Sequence, residues 1–199
     1  MTYQGILSAI GNTPLVELKR VHSERAFQAV GQARRAQSRG SAKGEVDLLF
    51  CATSTCGTIT GCAEYVRDHG ISTQIVAVDA VGSRIFSDVG AGFRPDLCRP
   101  ELVSRCVHVS DCVTGCRRLL QSEGLLAGGS SGGVLAALDR LKDEIPAGTH
   151  CVMILPDRGE RYLDTVYSDD WVCEHLGLAN CLGLDQIPGR SFLELAPAS

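Results

Sequence analysis

From Glu45 to Leu155 short, almost uninterrupted apolar runs alternate with longer stretches whose apolar residues recur at helical spacing, and few folds accept that rhythm. The apolar runs fall at 45–51, at 74–79, around Val107 and at 150–155. The helical stretches fall at 58–69, at 111–122 with Ser110 as the expected N-cap, and at 131–144. A strand that is apolar throughout needs cover on both faces, and parallel strands need long crossovers between them. The expectation is therefore an α/β fold: a three-layer α/β/α arrangement around a mostly parallel central sheet. Before this core, residues 3–10 read as a short helix, broken at Gly11 and Asn12 ahead of an extended segment over 13–18. Between the second strand and about Val103 the chain is rich in Gly, Pro and Asp and reads as irregular.

One stretch does not share the pattern. Residues 24–44 carry four arginines and one lysine with no sustained apolar face after Val30, which suits a solvated connection. The chain is thus expected to form a single α/β domain over 1–178 with a joint at about 28–44, followed by a tail over 179–199. A net charge of −4 gives no basic field for nucleic acid or an acidic membrane surface. No segment approaches the ~18 consecutive apolar residues of a membrane span, so a cytoplasmic protein is expected. The ten cysteines contain no C-x-x-C pair, and they are read as reduced thiols acting as small hydrophobes. Cys173 and His175 make the best metal pair, but no second pair accompanies them, so no metal is expected.

Two loops carry the chemistry. "STCGTITG", residues 54–61, lies between an expected strand and helix, and "GGSSGG", residues 128–133, opens another helix. In an open α/β sheet both would fall at the carboxyl ends of the strands, where ligands bind. The hydroxyls of Ser54, Thr55 and Thr58 and the N–H groups of Cys56 and Gly57 suit a phosphate at a helix N-terminus. The bland alternatives are an ordinary capped turn at the first loop and an N-cap at Ser130 or Ser131 in the second. A dinucleotide-binding βαβ unit is a rival, because Asp79 ends a strand about twenty residues after the first loop, in the place of a ribose-binding acid. Against it, the loop has neither G-x-G-x-x-G nor G-x-x-x-x-G-K-[ST].

"GNTPLVEL" (11–18), "STCGTITG", "GGSSGG" and "PDRGERYL" (156–163), in that order, resemble the cysteine synthase family of pyridoxal-phosphate enzymes, the fold type II group. "ATSTCGTITGCAEYV", "IVAVDAVGSRIF" and "DRGERYLDTVYSDDWV" are most similar to its siderophore-pathway branch, which uses O-phospho-L-serine and L-glutamate. The resemblance implies the larger domain of such an enzyme, with pyridoxal 5'-phosphate as cofactor. Its phosphate would sit at Ser54, Thr55, Cys56, Gly57 and Thr58, and Ser130 would face the pyridine nitrogen. A serine there, unlike a carboxylate, does not hold that nitrogen protonated, which suits β-elimination followed by addition of a nucleophile.

The resemblance covers about 1–27 and 45–178. The family carries a smaller domain between the first two motifs, with the lysine that binds the cofactor and an asparagine loop that grips the substrate carboxylate; here only residues 19–53 stand in that gap. The lysines are Lys19, Lys43 and Lys142, and "GSAKGE" around Lys43 echoes the family's lysine segment only faintly. An exposed lysine is mostly protonated and a poor nucleophile. No catalytic residue is therefore assigned, covalent attachment of the cofactor is not expected, and the chain reads as a shortened, inactive family member. A non-catalytic cofactor-binding or interaction domain is the alternative. Amino-acid substrates belong to the parent family, and a homo-oligomer is expected because apolar side chains near Val81, Ile85 and Phe86 would be left open.

Overall fold

The computed structural model describes residues 15–18, 27–31, 46–83, 85–86 and 92–176. Six strands, β1 (Leu15–Leu18), β2 (Phe27–Gly31), β3 (Leu48–Ala52), β4 (Gln74–Ala80), β5 (Arg105–Val109) and β6 (Cys151–Leu155), form one sheet in the order β1-β2-β6-β3-β4-β5. Only β1 is antiparallel to its neighbour; every other pairing is parallel. The helices are α1 (Gly57–Asp68), α2 (Cys112–Glu123), α3 (Gly129–Leu141) and α4 (Asp169–Leu176).

The period of two along each strand sorts the core into two layers. Phe50, Val76, Val78, Val107, Val109 and Met153 face α2 and α3, while Cys51, Ile75, Ala77 and Ile154 face α1. This is the expected α/β/α arrangement, and each large side chain buried in it contributes about 1.5–3 kcal/mol. Helix α1 presents Ile59, Cys62, Ala63 and Val66 at helical spacing to its layer and gives way at Gly70, whose φ of 59° is left-handed. Helix α3 is buried along most of its length and crosses α2 backbone to backbone: a Cβ on Gly115 would stand 2.7 Å from the carbonyl carbon of Gly132.

Several expectations need correction. Helix α2 is capped by Asp111, not Ser110; Ser110 Oγ instead donates to Asp111 Oδ1 at 2.8 Å. Helix α3 begins at Gly129 with Gly128 as N-cap, so neither Ser130 nor Ser131 caps it, and it ends at Leu141 rather than 144. The joint expected from 28 begins as strand β2, which pairs with both β1 and β6. Residues 32–45, the helix expected over 3–10 and the tail from 179 lie outside the described residues. Val81 is 63% exposed, as expected, but Ile85 and Phe86 are half-buried against the α1-side layer, where Ile85 O accepts from Arg94 Nε. Among the described residues eight cysteines are free, whereas Cys173 is in a disulfide rather than the reduced thiol expected. Its neighbour His175 stacks on Trp171 and bonds Trp171 O, and no metal-holding cluster of His, Cys, Asp or Glu occurs among the described residues. No helix among them is long and apolar enough to cross a membrane.

Candidate cofactor-phosphate site

Strand β3 runs into the first loop at its carboxyl end. Thr53 is fastened there by its N–H and its hydroxyl, both donating to Val78 O at 2.9 and 3.1 Å. Beyond it Ser54, Thr55, Gly57 and Thr58 are exposed, while Cys56 is only 3% exposed. Cys56 is the N-cap of α1 and has φ 63°, the one non-glycine in the left-handed region among the described residues. The conformation is costly for a residue with a Cβ and is held by the packing of its side chain in the α1-side layer. A left-handed residue at this point turns successive N–H groups inward, as in an anion-binding nest. The first bond of α1 is from Thr60 N–H to Cys56 O at 2.9 Å, and the N–H groups of residues 54–59 make no hydrogen bond among the described residues. A helix N-terminus with donors left open in this way favours an anion.

Cys56 itself is no nucleophile. Burial, then a hydrogen bond with Cys98, pushes its thiol up to about 12, so it is neutral near pH 7. Asp79 is likewise withdrawn: it is buried among the thiols behind the loop, and its Oδ1 accepts from Ala80 N–H at 2.9 Å. It is not presented to a ribose, which removes the residue on which the dinucleotide reading rested.

The second loop reaches the same edge of the sheet from the other layer. Ala127 forms an antiparallel bridge with Arg158, just beyond the end of β6, and β6 is the parallel neighbour of β3. A Cβ on Gly133 would touch Val109 and Val78, near the carboxyl ends of β5 and β4. The start of α3 and the residues after β3 therefore lie at the ends of adjacent strands, as a ligand spanning both loops requires. Ser130 is exposed in the first turn of α3 and its hydroxyl makes no hydrogen bond among the described residues, while Ser131 is fully buried with its Oγ unpartnered. A Cβ on Gly128 would fall 2.5 Å from the carboxyl carbon of Asp157, so any larger residue there would push that carboxylate aside.

A family model for pyridoxal-phosphate dependent enzymes matches residues 26–157. The chain belongs to that family. Over 137 residues it is 43% identical to the N-(2-amino-2-carboxyethyl)-L-glutamate synthase of Ralstonia nicotianae, a match covering 63% of this chain and 40% of the relative. Among solved structures it resembles O-ureido-L-serine synthase, with a TM-score of 0.56 and 25% identity over 66% of this chain and 47% of that one. The chain thus spans less than half the length of these two relatives. Pyridoxal phosphate is the cofactor of the family, and the open donors of residues 54–59 fit its phosphate. Of the three lysines only Lys142 is described, and it lies at the C-terminal end of α3, the opposite end from Ser130; Lys19 and Lys43 lie outside the described residues.

Sequence reasoning missed the groups behind the second loop. Tyr162 OH donates to Asp157 Oδ2 at 2.5 Å, Tyr167 OH donates to Ala127 O at 2.6 Å, and Ala127 N–H donates to Tyr167 OH at 3.1 Å. The signal was present in "PDRGERYLDTVYSDDWV", but nothing in its periodicity says which tyrosine turns inward.

Proposed function

We propose that this chain is the cofactor-phosphate-binding lobe of a β-replacement synthase, that it holds pyridoxal phosphate without a covalent bond, and that it does not turn over substrate alone. The observation that carries the reading is the left-handed Cys56 at the start of α1, a strained turn that leaves the N–H groups of residues 54–59 open. In this reading Ser54, Thr55, Cys56, Gly57 and Thr58 hold the phosphate and Ser130 meets the ring. The backbone donors and the α1 dipole stabilise the phosphate charge, and the hydroxyls of Ser54, Thr55 and Thr58 add further bonds. Bound pyridoxal phosphate supplies an electron sink for loss of a proton and a β-substituent from an amino acid.

The parent chemistry is suggested by the named relative, whose product joins an amino-carboxyethyl group to glutamate; a serine derivative activated at its β-carbon and glutamate as nucleophile are the matching substrates. Among the described residues no amine is positioned at the cofactor, and only a neutral, placed amine attacks quickly. In the same reading the protein works in the cytoplasm. Val81, Phe93 and Leu97, 63%, 78% and 55% exposed, favour association with a second copy, which sedimentation would show as a dimer and a monodisperse monomer would contradict.

The test adds pyridoxal phosphate, reduces with borohydride, maps any adduct, and assays β-replacement with O-phospho-L-serine and L-glutamate. The reading expects no adduct at a unique lysine and no turnover. A stoichiometric adduct at Lys43, lost in Lys43→Ala, would overturn it.

A further inference from the structure

The segment after β6 is tied to the second loop from both sides. On one side Gly128 N–H donates to Asp157 O at 3.2 Å and Gly159 N–H to Leu126 O at 3.0 Å. On the other, the Tyr167 hydroxyl takes up both backbone groups of Ala127, and Cys116 Sγ donates to Gly128 O at 3.2 Å. Residues 126–128 are therefore bonded along both edges, like an inner strand, although only one of those edges is another backbone. Tyr167 is in turn held where it is: buried Arg117 donates from Nε to Val166 O at 3.1 Å and from a terminal nitrogen to Asp169 Oδ1 at 2.5 Å. The guanidinium thus grips the chain on both sides of Tyr167. Helix packing does not explain this arrangement, because the close α2–α3 crossing at Gly115 and Gly132 already fixes the helix pair.

We infer that residues 159–169 form a positioning strap, in which Tyr167, anchored by Arg117, sets the first turn of α3 so that Ser130 meets the ring of a ligand whose phosphate lies at residues 54–58. Tyr167 is a positioning residue, bonded to Ala127 three residues before Ser130, and the inference rests on the phosphate reading given above. Its consequence is a division of labour. The α1 loop recognises the phosphate alone, and the strap matters only to the part of the ligand that reaches α3.

The experiment uses the full chain and two probes, inorganic phosphate and pyridoxine 5'-phosphate, which carries the ring and the phosphate but no aldehyde. Tyr167→Phe removes the hydroxyl and keeps the ring. It should leave phosphate affinity unchanged, lower pyridoxine-phosphate affinity about three- to tenfold, the usual effect of losing a neutral hydrogen bond, and speed exchange of the Ala127 amide. Asp169→Asn, on an exposed carboxylate, should shift the same ratio in the same direction and carries the test if Tyr167→Phe does not fold. Equal weakening of both probes, or no change in either, would overturn the inference and leave the strap a purely structural feature. If the unaltered chain binds pyridoxine phosphate no tighter than phosphate, Ser130 meets no ring and the inference falls while the phosphate site stands. If it binds neither, both fall together.

Discussion

Replacing Gly132 by alanine and Gly61 by alanine makes the same chemical change in two helices, and the structure gives the two changes opposite signs. At Gly132 the added Cβ would collide with the carbonyl oxygen of Cys112 and stand 2.6 Å from both the backbone nitrogen and the Sγ of Cys116, against 3.4 Å for ordinary contact, a shortfall of at least 0.8 Å. Backbone atoms of α2 are the nearest obstacles, so the helices must separate by at least that distance. A gap of this size forfeits a quarter to a half of each dispersion contact along the interface. Overpacking of this kind costs about 1–3 kcal/mol, and a backbone obstacle belongs at or beyond the upper end. Alanine returns about 1 kcal/mol of helix propensity, which leaves Gly132→Ala about 2 kcal/mol or more less stable. At Gly61, inside α1, nothing lies within 4 Å of the added Cβ. Only the propensity gain of about 0.5–1 kcal/mol remains there. Urea unfolding followed by circular dichroism should give a lowered midpoint for Gly132→Ala and a raised one for Gly61→Ala, with unchanged slopes. Shifts in the same direction would refute the account of the α2–α3 crossing.

Cys56→Gly relieves the left-handed backbone and Cys56→Ala does not, so the glycine variant should be more stable than the alanine variant by about 1 kcal/mol in the same assay. Burial pushes the thiol of Cys62 up to about 11 and that of Cys106, with the help of Asp79 and Cys98, up to about 12. The unfolded chain ionises these thiols above about pH 9 while the folded chain holds their protons, so stability is fully present below pH 9 and declines as pH rises through 11 to 12; unfolding midpoints across that range check it. Thr58→Ala, at an exposed position in the first turn of α1, should weaken phosphate binding a few-fold by titration calorimetry and leave the melting temperature within about 1 °C.

The sheet interior was legible because a strand covered on both faces has to be apolar throughout, and 74–79 and 150–155 answer to β4 and β6 within a residue at each end. Strand β2 was hidden because one of its two partners, β6, lies more than a hundred residues further along, while its local surroundings are rich in arginine. The start of α3 was misplaced for a different reason. Serine is a stronger capping signal than glycine, but the Asp157 carboxylate packs against the N-cap position, where glycine leaves it undisturbed. Of the site, the residue types of 54–58 and 130 were readable, whereas the left-handed turn at Cys56 was not, since cysteine carries no sequence signal for positive φ. The strap escaped because α4 has a single buried residue, Val172, and therefore almost no apolar periodicity to detect.

The most direct test of the central claim is a titration of the full chain with pyridoxine 5'-phosphate, followed residue by residue through its backbone amide resonances. The account predicts that the largest saturable shifts fall on the N–H groups of residues 54–59, with a second group at Gly129 and Ser130, and that inorganic phosphate reproduces the first group without the second. Shifts spread over the exposed arginines, or centred on the far end of α3, with residues 54–59 unmoved, would contradict it.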